Sequence, residues 1–233
     1  MVENRECDGM KDLITKMYVR RANELFETLG YSRNIPPIEV SEFSGVARIN
    51  LRENKVEFSK SYLERSSNEK IDRAVKNMVA RYLVLENDRN NQTPGTETTL
   101  RDVMNKNRGI ETVATLYEFV DVKNGRIDRD EAFRTLMLLE SEEAWDGIRG
   151  MHYRIFELET DIEKKTAVGL WIAWVEGRVR GARIAIELDR MLQELAPEKR
   201  NEKLRELFRE ILSKPREERE RILRQIERGE IVF

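Results

Sequence analysis

The chain has 233 residues, with 42 Lys or Arg against 44 Asp or Glu, for a formal net charge of -2. That length buries a sizeable core in one large domain or two small ones, and so balanced a charge supplies no global field to attract nucleic acid or a membrane surface. Charged residues at 37%, with five prolines and the single Cys7, match the ion-pair-rich composition of thermophile proteins and exclude an intrachain disulfide.

From Met10 to Leu29 the apolar residues Met10, Leu13, Ile14, Met17, Ala22, Leu25, Phe26 and Leu29 follow helical spacing, with Gly30 as a stop. Alternation in 35–40 and 46–59 predicts a short strand followed by a hairpin. Residues 68–86 place Ile71, Ala74, Val75, Met78, Val79, Tyr82 and Leu83 on one helical face. A polar stretch with Pro94-Gly95 then reads as an exposed loop, centred on 91–98. Short helices are expected over 99–107 and 110–117. Asp128 and Glu131 form a capping-box pair opening a helix to Leu139, and Ser141 is placed to cap the next. One long helix is expected from about 145 to 195, where Pro197 ends it, and two more follow, broken at Ser213-Lys-Pro215 and closed by Gly229.

These elements predict an α+β, predominantly α-helical fold. Residues 1–90 form an α+β region with the hairpin, 91–98 a loop, and 99–233 a helical bundle around the long helix. The longest apolar run, Ala167–Val175, has nine residues, too few to span a membrane, and the N-terminus lacks the apolar core of a signal peptide. No membrane association and a cytoplasmic location are expected.

Within the long helix, Gly169, Ala173, Gly177, Gly181 and Ala185 recur at every fourth position. Each interior Gly costs about 1 kcal/mol relative to Ala, so the row requires a gain from close approach of another helix. Beside it runs Val168, Ile172, Val175, Val179, Ala182 and Ile186, in steps of four and three. The two rows suit packing against the helices at 129–140 and 198–228, or equally against a second copy of the chain.

Chemistry-bearing patterns are sparse. His152 is the only histidine, which removes His-based triads and multi-His metal sites. No Gly-x-Ser-x-Gly, phosphate-binding or dinucleotide Gly-rich motif occurs. Residues 119–133 have the outline of an EF-hand loop, but Val120 and Val122 stand at its first and third ligand positions, and a turn at Asn124-Gly125 accounts for the same residues. Glu53-Asn-Lys55, with Glu39 or Glu42 upstream, matches the end of a PD-(D/E)xK nuclease signature, yet it lies where the hairpin turn is expected. Arg178, Arg180 and Arg183, near Trp171 and Trp174, are candidate nucleic-acid contacts, although Arg178 and Arg180 sit about 200° apart around the helix.

The order of helix, small sheet and helix across residues 10–85 resembles the scaffold of a zincin metalloprotease, whose second helix carries His-Glu-x-x-His followed by an aromatic. Aligning that aromatic with Tyr82 sets Asn77 and Arg81 in place of the two His ligands and Met78 in place of the general-base Glu. Zinc requires imidazole, thiolate or carboxylate donors, and a fixed guanidinium repels it. The resemblance thus implies a scaffold without the family's chemistry. The expected function is that of a non-enzymatic interaction or structural protein acting through helical surfaces, with a protein partner or a second copy and no cofactor. A divergent zincin-type hydrolase and a nucleic-acid-binding protein are the alternatives.

Overall fold

A computed structural model describes residues 2–29, 35–50, 52–91, 99–140 and 142–231. It is predominantly helical with a small sheet. Helix α1 (Val2–Leu29) leads into β1 (Ile38–Ser41), β2 (Ala47–Asn50) and β3 (Lys55–Ser59), then a short α2 (Lys60–Arg65) and α3 (Asn68–Asn90). The sheet order is β1-β3-β2. β1 runs parallel to β3 with Ile38 opposite Val56, and β2 runs antiparallel to it with Ala47 opposite Phe58. The expected hairpin is therefore present, turning at Asn54 in the left-handed region, and leaves β2 at a sheet edge.

Helix α4 (Leu100–Phe119) is continuous, where two short helices were expected around Gly109. Thr99 and Asp102 close its N-terminus with a reciprocal capping box, and tertiary packing along its length offsets the cost of one interior Gly. A two-stranded ribbon, β4 (Val120–Asp121) and β5 (Arg126–Ile127), follows, turning at Gly125 with φ +61°. The EF-hand outline is this turn. Helix α5 (Arg129–Glu140) starts where Asp128 accepts the Glu131 amide.

The long helix is two helices, α6 (Glu142–Leu158) and α7 (Ile162–Leu192). Asp161 interrupts it by accepting the backbone amides of Glu163 and Lys164, a cap that competes with helix continuation. Helices α8 (Pro197–Ser213) and α9 (Arg216–Glu227) complete the chain, with Pro197 in the first turn of α8 and Gly229 at φ +64° after α9. The stretch 92–98 and Ser141 lie outside the described residues. One hydrophobic cluster runs from Ile14 and Leu25 of α1 through Phe58, Val79 and Leu116 to Phe208 and Ile226.

The small-residue row has a definite partner: α7 packs along α4 more extensively than along any other element. A Cβ on Gly177 would overlap Glu111 Cβ and lie 2.7 Å from the Arg108 carbonyl oxygen. One on Gly181 would lie 2.7 Å from the Thr112 carbonyl oxygen, and one on Gly169 2.9 Å from Met104 Sδ. Ala173 and Ala185 are fully buried, as are Ile172 and Val175, with Val179 8% exposed and Val168 half-buried. The row is filled within the chain, so this face is not available to a second copy. The helices at 129–140 and 198–228 do touch α7, yet the row itself faces α4, because only there does backbone meet backbone.

Candidate functional site

Helix α3 lies against the β2 edge, and between them opens a cavity of about 560 Å³. Its walls come from Val46 and Ala47 at the sheet edge, Asn77, Met78 and Arg81 on α3, Leu138 on α5, and Trp174 and Arg178 on α7. The three residues singled out on α3 thus face one cleft. Their convergence follows from helical spacing, since Arg81 is four residues after Asn77 and three after Met78. Tyr82 lies outside the cleft lining, is buried, and donates to Asn54 Oδ1 at 3.3 Å, tying the helix to the hairpin turn.

The floor is a set of internal ion pairs. Arg81 pairs with Glu111, whose side chain is only 5% exposed. Asn77 donates to Glu118 Oε2 at 3.2 Å, and Arg178 grips both oxygens of the same carboxylate at 3.0 and 3.3 Å. Burial drives the Glu111 carboxyl above its usual range, with Arg81 and Arg178 opposing the shift. Burial also works against the charge on Arg178, but Glu118 outweighs it and holds the guanidinium protonated. Arg81 Nε and Glu111 Oε2 are buried without a hydrogen-bond partner among the described residues. Where the resemblance would place two imidazoles and a carboxylate base, this chain has an amide, a thioether and a guanidinium committed to Glu111. Among the described residues no three His, Cys, Asp or Glu side chains converge as metal ligands.

Glu111 and Glu118 were not singled out in the sequence. Their signal is an acid seven residues from another within the apolar run Ile110-Glu-Thr-Val-Ala-Thr-Leu-Tyr-Glu-Phe119, a place where a carboxylate is buried only with a partner. Glu118 reaches the cleft, and Glu111 the guanidinium of Arg81 on its wall, because Gly177 and Gly181 admit α4 so closely.

The edge strand supplies a second feature. The Ser59 amide donates to the Val46 carbonyl at 3.0 Å, and the alternation of an antiparallel pair then turns the N–H and C=O of Ala47 and Ile49 away from β3. Among the described residues no backbone hydrogen bond outside the sheet engages either of them.

The other candidate residues are distributed elsewhere. Arg180 is bound to Glu227 at 2.7 Å and to Glu220 at 2.8 Å, and Arg183 to Glu140. With Arg178 held by Glu118 inside the cleft, the three arginines do not form a common cationic face. His152 stacks on Trp171 with ring centroids 3.9 Å apart. Lys55 Nζ sits among Glu39, Glu53 and Glu57 on the sheet, where an ammonium occupies the centre of the acids that the nuclease pattern would give to a metal. Among the described residues no helix is long and apolar enough to cross a membrane. No protein-family model, curated protein or solved structure matches the chain.

Proposed function

We propose that this chain is a non-enzymatic interaction protein on a zincin-like scaffold, and that it binds an extended segment of a partner protein in the cleft beside β2. The observation that carries this reading is the pairing of Arg81 with Glu111, at the position that the zincin resemblance assigns to a metal ligand, beside a sheet edge at which Ala47 borders the cleft. A cleft built this way offers recognition without a nucleophile or a base. An added strand would bond to the outward groups of Ala47 and Ile49, while Met78, Leu138 and Trp174 would receive its alternate side chains. The helical walls α3, α5 and α7 keep the interaction on helical surfaces. A single cysteine and a balanced charge fit a cytoplasmic setting.

Selection from a displayed library of random peptides, followed by amide exchange on the complex, tests this. Bound peptides are expected to slow exchange at Ala47 and Ile49 and to lose about tenfold in affinity on Ala47→Pro, which removes an outward donor and spares the bonds to β3. Trp174→Ala should weaken the same peptides without disturbing exchange in β3. Peptides that protect a different surface, or a library that yields no binder, would overturn the assignment of the cleft. Stoichiometric zinc in the purified protein would overturn the non-enzymatic reading.

A further inference from the structure

A second cavity, of about 670 Å³, lies on another part of the molecule between α1, the β4–β5 turn and α8. Its lining includes Lys16 and Arg20 from α1, Lys123 from the turn, and Arg205 and Arg209 from α8, against the single carboxylate of Glu24. That carboxylate is already bound by Arg21 at 2.8 Å. Arg20 is paired with Asp72 at 3.3 Å, as Arg73, Arg178, Arg180 and Arg219 elsewhere each have a carboxylate partner. Among the described residues no ion pair engages Lys16, Lys123 or Arg205. Three separate elements thus bring unmatched cations to one concavity in a chain whose net charge is -2.

The arrangement is held by the fold. The Asn201 side chain donates to the Lys123 carbonyl at 2.5 Å. Gly125 abuts α8 so closely that a Cβ there would lie 2.5 Å from the Pro197 carbonyl oxygen and 2.9 Å from the Asn201 nitrogen. The turn bearing Lys123 is therefore clamped to the helix bearing Arg205 and Arg209. Cations carried at backbone positions fixed around one cavity suit a ligand with several adjacent anionic groups.

We propose that this cavity binds a compact, soluble polyphosphate ligand, recognised through its phosphates. Among the described residues no aromatic side chain lines it, so they offer no platform on which a base would stack. A long nucleic acid is disfavoured by its surroundings: exposed Glu202, Glu206 and Glu210 form a row on α8 about 100° round the helix from Arg205 and Arg209. A polyanion extending past the cavity would meet these carboxylates. A compact one would not.

The experiment titrates sodium tripolyphosphate into the full chain at low ionic strength, followed by calorimetry and by amide shifts at Lys123. Saturable one-to-one binding is expected, weakening with added salt. The double substitution Lys16→Ala and Arg205→Ala should reduce affinity at least about tenfold. Both side chains are exposed, so an unchanged melting temperature checks that the fold survives. Lys106→Ala with Arg216→Ala, at a different basic cavity, should leave affinity unchanged. Absence of saturable binding, or binding indifferent to Lys16 and Arg205, overturns the proposal. So does tighter binding of a duplex DNA through the same residues, which would assign the surface to nucleic acid. Retention on phosphoinositide vesicles with no binding of free tripolyphosphate would assign it to a lipid headgroup instead. None of these outcomes bears on peptide binding beside β2.

Discussion

Glu111 is the residue on which the cleft turns. It is nearly sealed from solvent, it neutralises Arg81, and its carboxyl is pushed upward by burial against the pull of Arg81. A carboxyl whose folded pKa exceeds its unfolded value binds protons more tightly in the native state, so its contribution to stability falls as pH rises from about 4.3 through the folded value. Urea titrations across that interval should show this decline in the wild type and its loss in Glu111→Gln. Removing the acid outright leaves Arg81 without its partner. Glu111→Ala is therefore expected to cost about 3 kcal/mol at neutral pH, and adding Arg81→Met should recover much of it, as measured by a double-mutant cycle in urea. Additive losses would mean that the two side chains do not act as a pair.

At the scale of elements, glycines with the same helical propensity have opposite roles. Gly177 sits where α4 leaves no space, with the Arg108 carbonyl oxygen 2.7 Å from a Cβ position, whereas Gly109 on α4 has nothing within 4 Å. Gly177→Ala gains about 1 kcal/mol of propensity but forces two helices apart, so a net loss of about 1–3 kcal/mol is expected. Gly109→Ala should gain up to about 1 kcal/mol for want of any such clash. Thermal melts of the two variants, moving in opposite directions, distinguish a packing seam from a general tolerance of small residues. The break between α6 and α7 belongs to this scale too. Asp161 carries the capping signal, but its apolar flanks, Ile155 and Leu158 before it and Val168 after, continue at near-helical spacing, so periodicity alone runs across it.

Across the whole molecule, distant parts of the chain are tied together by a few sealed contacts. Asp88 of α3 accepts from Arg219 of α9 at 2.6 Å, with side-chain exposures of 7% and 4%, and the Asn87 amide donates to the Lys214 carbonyl at 2.8 Å. Tyr117 and Phe208 meet edge to face between α4 and α8. Asp88→Ala strands a buried guanidinium and is expected to cost about 3–5 kcal/mol. Unfolding should remain one transition by both circular dichroism and tryptophan fluorescence, because one apolar cluster runs from α1 to α9. Separate transitions would show that the C-terminal helices fold independently.

Local patterns in the sequence determined which segments are helical, where the hairpin turns, that Pro197, Pro215 and Gly229 delimit the last helices, and that Gly169–Ala185 is a close-packing face. Each of these is settled within a few neighbouring residues by periodicity, caps and backbone preference. The partner of that face, the parallel pairing of β1 with β3, and the meeting of Arg81 with Glu111 and of Asn77 with Glu118 were decided only by the tertiary structure. A small-residue row requires a near neighbour without specifying which one, and an acid in an apolar run requires a cation without naming it. Residues 18 to 69 positions apart in the chain become partners only when the core closes, and here it is the packing of α4 against both α3 and α7 that brings its carboxylates to their partners.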